Sequence, residues 1–255
     1  MSSNSNEYQT NSNQWPEHAA APNTHNRVFE LVRQYLTAPE GKKVCDLPCG
    51  AGAFSARLAQ LGADITAVDI EAVEPFYYDR GHRILADANL PLPFADGEFD
   101  AMVSIEGIEH LENPSFFLRE CARVVKPGGL VFLSTPNIDS FRSRRSTFLH
   151  GFPKYFRPKT ADRKDAYHLH PIDMTFVRGA LRKTDLSIVE LAVNRFSGRN
   201  IFRELLRPLF TAKLPEEMRG QIPFYGEVLI YVLRKKVAEV SAGEGALPHR
   251  ESDFA

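Results

Sequence analysis

The feature that most constrains this chain is an alternation. Between residues 23 and 236, short runs rich in β-branched and aromatic residues take turns with segments of helical period. That pattern marks βαβ units and a mainly parallel sheet covered by helices on both faces. Val28, Leu31, Val32, Tyr35 and Leu36 recur at i, i+3, i+4, i+7 and i+8 and set one apolar stripe on a first helix. A strand at 43–47 follows, then a glycine-bearing turn, then a helix whose Phe54, Leu58 and Leu61 share a face. Further strands are read at 64–70, 82–86, 101–105 and 130–134. Asn113 and Pro114 stand as N-cap and first residue of an intervening helix with Phe117, Cys121 and Val125 on its buried side. Runs at 186–193 and 227–233 bring the strands to seven, and the alternation in the last predicts an edge or antiparallel strand.

Length and composition bound the rest. With 255 residues, 43% of them apolar, the chain can bury one substantial core. A formal charge of −1 gives no global electrostatic reason to expect nucleic acid or an acidic surface as partner, so any basic footprint must be local. Cys45, Cys49 and Cys121 are too irregularly spaced for a disulfide framework or a zinc knuckle and read as buried free thiols in a reducing compartment. Residues 1–22 are rich in Ser, Asn, Gln and Pro and resemble no signal peptide; they and the polar stretch 237–255 are expected to be disordered tails around a domain at 23–236. No run reaches the 18 or so apolar residues of a membrane span. A cytoplasmic location is the expectation.

In an open parallel sheet, ligands bind outside the carboxyl ends of the strands, at the point where strand order reverses. The first strand ends in Asp46-Leu47-Pro48-Cys49-Gly50-Ala51-Gly52, where glycines allow a tight turn and close approach to a ligand. The second ends in Asp69, suited to accept the hydroxyls of a ribose, with Ile70 next to it. The third ends in Asp87-Ala88, and the fourth in Glu106-Gly107-Ile108-Glu109-His110. The turn Lys126-Pro127-Gly128-Gly129 introduces the fifth.

A glycine loop, two acids and an acidic/histidine cluster on four successive strand ends resemble the class I S-adenosylmethionine-dependent methyltransferases over residues 25–136. The resemblance implies a doubly wound, Rossmann-like, seven-stranded mostly parallel sheet in the order 3-2-1-4-5-7-6 with one antiparallel strand. It places Asp46, Leu47, Cys49, Gly50 and Gly52 around the methionyl part of S-adenosylmethionine, and Asp69 on its ribose with Ile70 beside the adenine. Asp87 and Ala88 meet the adenine amino group and ring edge, and Glu106 lines the cofactor where the site opens to substrate. Pro48 departs from the pattern, since a glycine is more usual there. A nicotinamide-dependent dehydrogenase shares the sheet and the acid after strand two, but Ser55 stands where its third glycine belongs.

On a helix, Glu106, Glu109 and His110 at i, i+3 and i+4 would converge on one point and, with His168, offer ligands to Mg2+ or another divalent metal. The Glu-x-x-Glu-His pattern, with Thr135-Pro136-Asn137 and a later histidine, is similar to two groups, the ubiquinone-biosynthesis O-methyltransferases and the small-RNA 2′-O-methyltransferases. In both it implies an ion bound to substrate hydroxyls. Without metal, His168, His170 or His110 serves as base, since a near-neutral pKa suits proton removal at neutral pH.

Eight basic residues against three acids between 137 and 165, with five aromatic residues interleaved, predict a lid over the pocket at 137–170. An insertion at 196–225 contains an amphipathic helix, read as broken near Pro208. The reading is O-methylation of a small-molecule, sugar or lipid-linked acceptor, an anionic one included, by a monomer or homodimer. The basic lid leaves an RNA acceptor open, and the amphipathic helix leaves peripheral membrane contact open. In the other class stands a non-catalytic S-adenosylmethionine-binding module.

Overall fold

A computed structural model describes residues 20–156, 168–196, 201–214, 216 and 219–237. Most of the expected N-terminal tail, all but the first residue of the C-terminal one, and lid residues such as Arg157, Lys159 and Tyr167 lie outside these. Helix α1 (Thr24–Tyr35) leads into β1 (Lys43–Asp46), α2 (Ala53–Ala59), β2 (Asp64–Asp69), β3 (His82–Leu85) and β4 (Phe99–Ile105). A single 3-10 turn (Ile108–His110), α3 (Pro114–Val124), β5 (Val125–Pro136) and α4 (Phe141–His150) follow. The chain then forms α5 (Met174–Leu181), β6 (Leu186–Val193), α6 (Ile201–Thr211), α7 (Gln221–Tyr225) and β7 (Val228–Lys235).

The sheet has seven strands in the order β3-β2-β1-β4-β5-β7-β6. Neighbours from β3 to β5 run parallel, and β7 runs antiparallel to both β5 and β6. The period-2 geometry of a strand sends alternate side chains to opposite faces, and the core divides accordingly. Cys45, Met102, Val131, Leu229 and Tyr231 pack with Phe117, Leu118 and Cys121 of α3 and Val177 of α5. Val44, Ala101, Phe132, Ile230 and Val232 pack on the other face with Val28, Leu31 and Val32 of α1 and Phe54 and Leu58 of α2. Asn113 caps α3 by accepting from Phe116 N at 2.9 Å, with Pro114 at its first turn. All three cysteines are free and buried.

The last strand is antiparallel and interior as the expected order implies, buried from Val228 to Leu233, with β3 and β6 at the edges. Three expectations are corrected. Val125 lies not on α3 but at the start of β5, because its backbone turns extended there, so the segment 126–129 read as a turn is inside the strand. Helix α6 runs through Pro208 without a break; Arg207 steadies it, its Nε bonding to Glu204 and its Nη1 to the carbonyl of Arg219. Residues 20–22, expected in the tail, are held against the domain: Ala21 N donates to Glu106 Oε1 and Pro22 O accepts from Asn194 Nδ2.

Candidate active site

The carboxyl ends of β1, β2 and β4 enclose a pocket of about 850 Å³. Its lining includes Asp46, Leu47, Cys49, Gly50, Asp69, Ile70, Asp87, Ala88, Glu106 and His110. The loop after β1 is pinned on both sides, since Leu47 N donates to Val103 O and Cys49 N to Val68 O, each at 2.9 Å. Pro48 has no N–H to place, and its ring fills the space a side chain at Gly107 would need, so the two residues are matched across the pocket floor.

Asp46 is fully buried. Its Oδ2 accepts from Ser55 Oγ at 2.6 Å, while Oδ1 is buried with no hydrogen-bond partner. Burial raises this carboxyl to about 7 against the opposing bond from Ser55. Asp69 is oriented by two backbone donors, Gly50 N on Oδ2 at 2.7 Å and Ile70 N on Oδ1 at 2.8 Å. A carboxylate has about four lone-pair sites, so acceptor capacity remains on the pocket side. Asp87 closes a local turn by accepting from Asn89 N at 2.8 Å.

The two loop glycines differ. Gly50 sits at φ 52° and lines the pocket, and a Cβ built there would meet nothing within 4 Å. Gly52, at φ 76°, is the residue before α2 and lies outside the lining; a Cβ there would come within 2.6 Å of the Phe76 ring. The open cradle over Gly50, the lone pairs of Asp69 and the unpartnered Asp46 oxygen together fit the polar cofactor that the sequence predicts.

The expected convergence of Glu106, Glu109 and His110 on a helix face does not occur. Glu106 is a non-glycine residue at φ 48°, a left-handed conformation costing of order 1–3 kcal/mol, and only the short 3-10 turn follows. Its carboxylate therefore swings to α1, accepting from Ala21 N at 3.0 Å and Thr24 Oγ1 at 3.2 Å. Burial raises its pKa, partly offset by those two bonds. Among the described residues the group able to hold a metal is Glu109, His110 and His168, with ligand atoms all within 4.8 Å of one another. Glu109 is fully buried, accepts from Thr135 Oγ1 at 3.1 Å, and keeps Oε1 without a partner. Burial pushes it up to about 8.

His168 meets the His110 ring edge-on, with centroids 4.8 Å apart. Burial first, and His110 second, lower His168 to about 4, opposed by a hydrogen bond to the Tyr155 backbone. Its Nδ1 is buried without a partner. His170 stands apart from this group and gives its backbone N–H to the Glu109 carbonyl at 3.0 Å.

Several residues of the site carried no sequence signal. His25 and Phe54 line the pocket with ring centroids 5.1 Å apart, and Leu111 and Phe117 add apolar wall. Glu227 gathers Lys154, Tyr155 and Arg195 beside Glu106. The surplus of basic residues in the lid was the one clue that a buried acid was needed. Outside the pocket, Leu205, Leu209 and Phe210 of α6 and Phe148 and Leu149 of α4 are exposed. Among the described residues no helix is long and apolar enough to cross a membrane.

Comparison with known proteins accords with this geometry. Residues 45–133 match the family model described as a methyltransferase domain. The ubiquinone biosynthesis O-methyltransferase of Erwinia tasmaniensis is 36% identical over 121 residues, covering 44% of this chain and 49% of that protein. Its namesake from Xanthomonas axonopodis pv. citri is 36% identical over 139 residues, covering 49% and 57%. The chain thus spans about half the length of the curated relatives it matches. An S-adenosylmethionine-dependent methyltransferase from Archaeoglobus fulgidus superposes with a TM-score of 0.55 at 19% identity, covering 83% of this chain and 95% of that one. One from Mesorhizobium loti gives 0.52 at 16% identity, covering 81% and 97%. At such identity the solved structures establish the fold alone.

Proposed function

We propose, on the premise that this chain carries a class I S-adenosylmethionine-dependent methyltransferase domain, that it methylates a hydroxyl group of a small-molecule, sugar or lipid-linked acceptor. The observation that carries this reading is continuity: the pocket lined by the oriented Asp69 and half-satisfied Asp46 also holds His110, with His168 and Glu109 behind it. A pure binding module has no use for that second group.

Bound there, S-adenosylmethionine supplies an electrophilic methyl on a sulfonium centre. Asp69 would accept ribose hydroxyls through lone pairs that its backbone donors leave open. Asp46 would sit beside the cationic methionyl end, where a positive neighbour favours its charged form. Asp87 and Ala88 would line the adenine edge. Phe54, Leu111 and Phe117 exclude water, so the protein acts largely by positioning two reactants and removing one proton. His110 lines the pocket and is the imidazole placed to take that proton, with the His168 ring edge-on behind it. Burial lowers His168 to about 4, away from the near-neutral value a base needs, and its Nδ1 is buried outside the pocket lining.

A second reading uses the same residues with a divalent ion. Two imidazoles and a carboxylate, with Glu109 Oε1 and His168 Nδ1 unpartnered, are a suitable donor set. Glu109, His110 and His168 would hold such an ion, which would lower the pKa of an acceptor hydroxyl bound to it. The hydrogen bond from His168 to the Tyr155 backbone is the kind of outer contact that orients a ligating imidazole. RNA as the acceptor belongs to this reading.

The experiment is calorimetric titration of S-adenosylhomocysteine into wild type and Asp69→Ala, each with magnesium, manganese or EDTA. Micromolar binding that collapses in the variant supports the cofactor assignment. A metal-dependent heat lost in Glu109→Gln selects the second reading, and no binding by wild type overturns both.

A further inference from the structure

At the carboxyl edge of the sheet, beyond the pocket, one buried acid draws cations together. Glu227 immediately precedes β7, and its side chain is 4% exposed. Lys154 Nζ and the Tyr155 hydroxyl each donate to its Oε1 at 2.6 Å, and Arg195 Nε donates to Oε2. The Arg142 guanidinium lies 3.9 Å away. Burial alone would raise the Glu227 carboxyl, but the bonds from Lys154, Tyr155 and Arg195 outweigh it and hold it at about 2. The acid is therefore ionised at any working pH. Even so, the full charges of Lys154 and Arg195 exceed its single negative charge.

Arg195 is the informative member. Its side chain is 46% exposed, and its Nε is seated on Glu227 while the described residues offer no acceptor to its two Nη groups. A guanidinium fixed along one edge and open along the other is preorganised to take a planar or tetrahedral oxyanion in a two-pronged grip. The location suits an acceptor. Arg195 follows β6, Glu227 precedes the antiparallel β7, and both therefore lie at the end of the sheet where the parallel strands finish. Tyr155 spans the two sites: its hydroxyl holds Glu227 and its backbone holds His168, whose ring touches that of pocket-lining His110.

We propose that Arg195 and Lys154, held on Glu227, form an anion-binding subsite that receives a carboxylate or phosphate on the molecule to be methylated. The identity of the anion's bearer rests on the methyl-transfer reading; the subsite does not.

The test titrates phenyl phosphate, benzoate and neutral benzyl alcohol into the full chain at low salt, with S-adenosylhomocysteine titrated separately. Wild type is expected to bind at least one anion and not the alcohol. Tighter binding of phenyl phosphate assigns a phosphoryl group, and tighter binding of benzoate a carboxylate. Arg195→Gln is expected to weaken the anion by about tenfold or more, as for lost charge-assisted bonds, and to leave S-adenosylhomocysteine affinity unchanged. The exposed Lys183, before β6 at the opposite end of the sheet, provides the control Lys183→Gln, which should change neither. Anions that bind wild type no better than the alcohol, or as well in Arg195→Gln, overturn the proposal. If Arg195→Gln loses its cooperative thermal transition, Arg195→Lys keeps the charge without the fork and takes its place. Anion binding without S-adenosylhomocysteine binding would sink the methyltransferase reading and leave the subsite standing.

Discussion

Ser55 Oγ donates to Asp46 Oδ2 at 2.6 Å, across the whole glycine loop, and the Ser55 backbone also bonds this buried carboxylate, whose Oδ1 has no partner. Ser55 occupies the position that spoke against a nicotinamide fingerprint, and here its hydroxyl fixes the acid at the end of β1. Ser55→Ala should cost about 1 kcal/mol, a lost side-chain hydrogen bond to a buried acceptor that keeps its backbone donor. Thermal or urea denaturation reads this directly, and unchanged stability would mean the bond is not formed.

The raised pKa of Asp46 gives a pH signature. Burial lifts the folded value to about 7 from an ordinary 3.8. Between those values the unfolded chain releases a proton that the folded one keeps, so this group's contribution to stability falls as pH rises toward 7 and then levels off. Asp46→Asn should remove that slope from stability-versus-pH curves. It should also abolish any rise in S-adenosylhomocysteine affinity between about pH 6 and about pH 8, where the carboxylate forms.

The paired glycines should separate stability from binding. Gly50→Ala meets open space, so denaturation should report only the backbone strain, about 1–2 kcal/mol, while cofactor affinity drops because the new methyl enters the pocket. Gly52→Ala must displace Phe76 as well as adopt φ 76°, and should be the less stable protein. Calorimetry on both variants, beside their melting curves, checks the order.

Glu227 works in the opposite sense to Asp46. Its folded pKa is depressed from 4.5 to about 2, so its contribution is complete above about 4.5 and disappears as pH falls toward 2. Glu227→Gln should flatten the acid limb of the stability curve over that window. A variant with an acid limb identical to wild type would show that the Lys154, Tyr155 and Arg195 contacts carry no net energy.

Asn194 ties the N-terminal segment to the sheet. It is 3% exposed; its Nδ2 donates to Pro22 O and Thr24 Oγ1, and its Oδ1 accepts from Val228 N and Arg195 N. Asn194→Ala should lose about 2–4 kcal/mol by leaving several buried groups unpaired. Hydrogen exchange should quicken at Ala21, whose N–H is held by Glu106; an unchanged rate there would show that the segment does not depend on Asn194.

The parts of the fold governed by local periodicity were legible in the residues. Helix α1, the Asn113-Pro114 start of α3 and the positions of all seven strands follow from spacing and caps, and the strand order followed from the resemblance. Glu106 was not legible, because a side chain's direction depends on one φ angle that no spacing encodes. A helix was assumed where Glu106 turns left-handed and sends its carboxylate to Thr24. The start of β5 was misread because Lys126-Pro127-Gly128-Gly129 reads as a turn, whereas in the structure it continues the strand from Val125. Glu227 was missed because its partners Lys154 and Arg195 lie 73 and 32 residues away in the chain.

The interior antiparallel place of β7 sets the order in which the chain can be assembled. Strand β5 is laddered to β4 on one side, but its other side and the whole of β6 pair with β7, whose Val228 lies opposite Pro136. A ribosome must therefore deliver nearly the whole domain before the sheet can close. Until then the emerging chain presents two bare, apolar strand edges, and nicking or early termination before residue 228 would leave both open to pairing with another molecule. The residue that immediately precedes this closing strand is Glu227, so the sheet and the acid that gathers Lys154 and Arg195 are completed in the same stretch of synthesis.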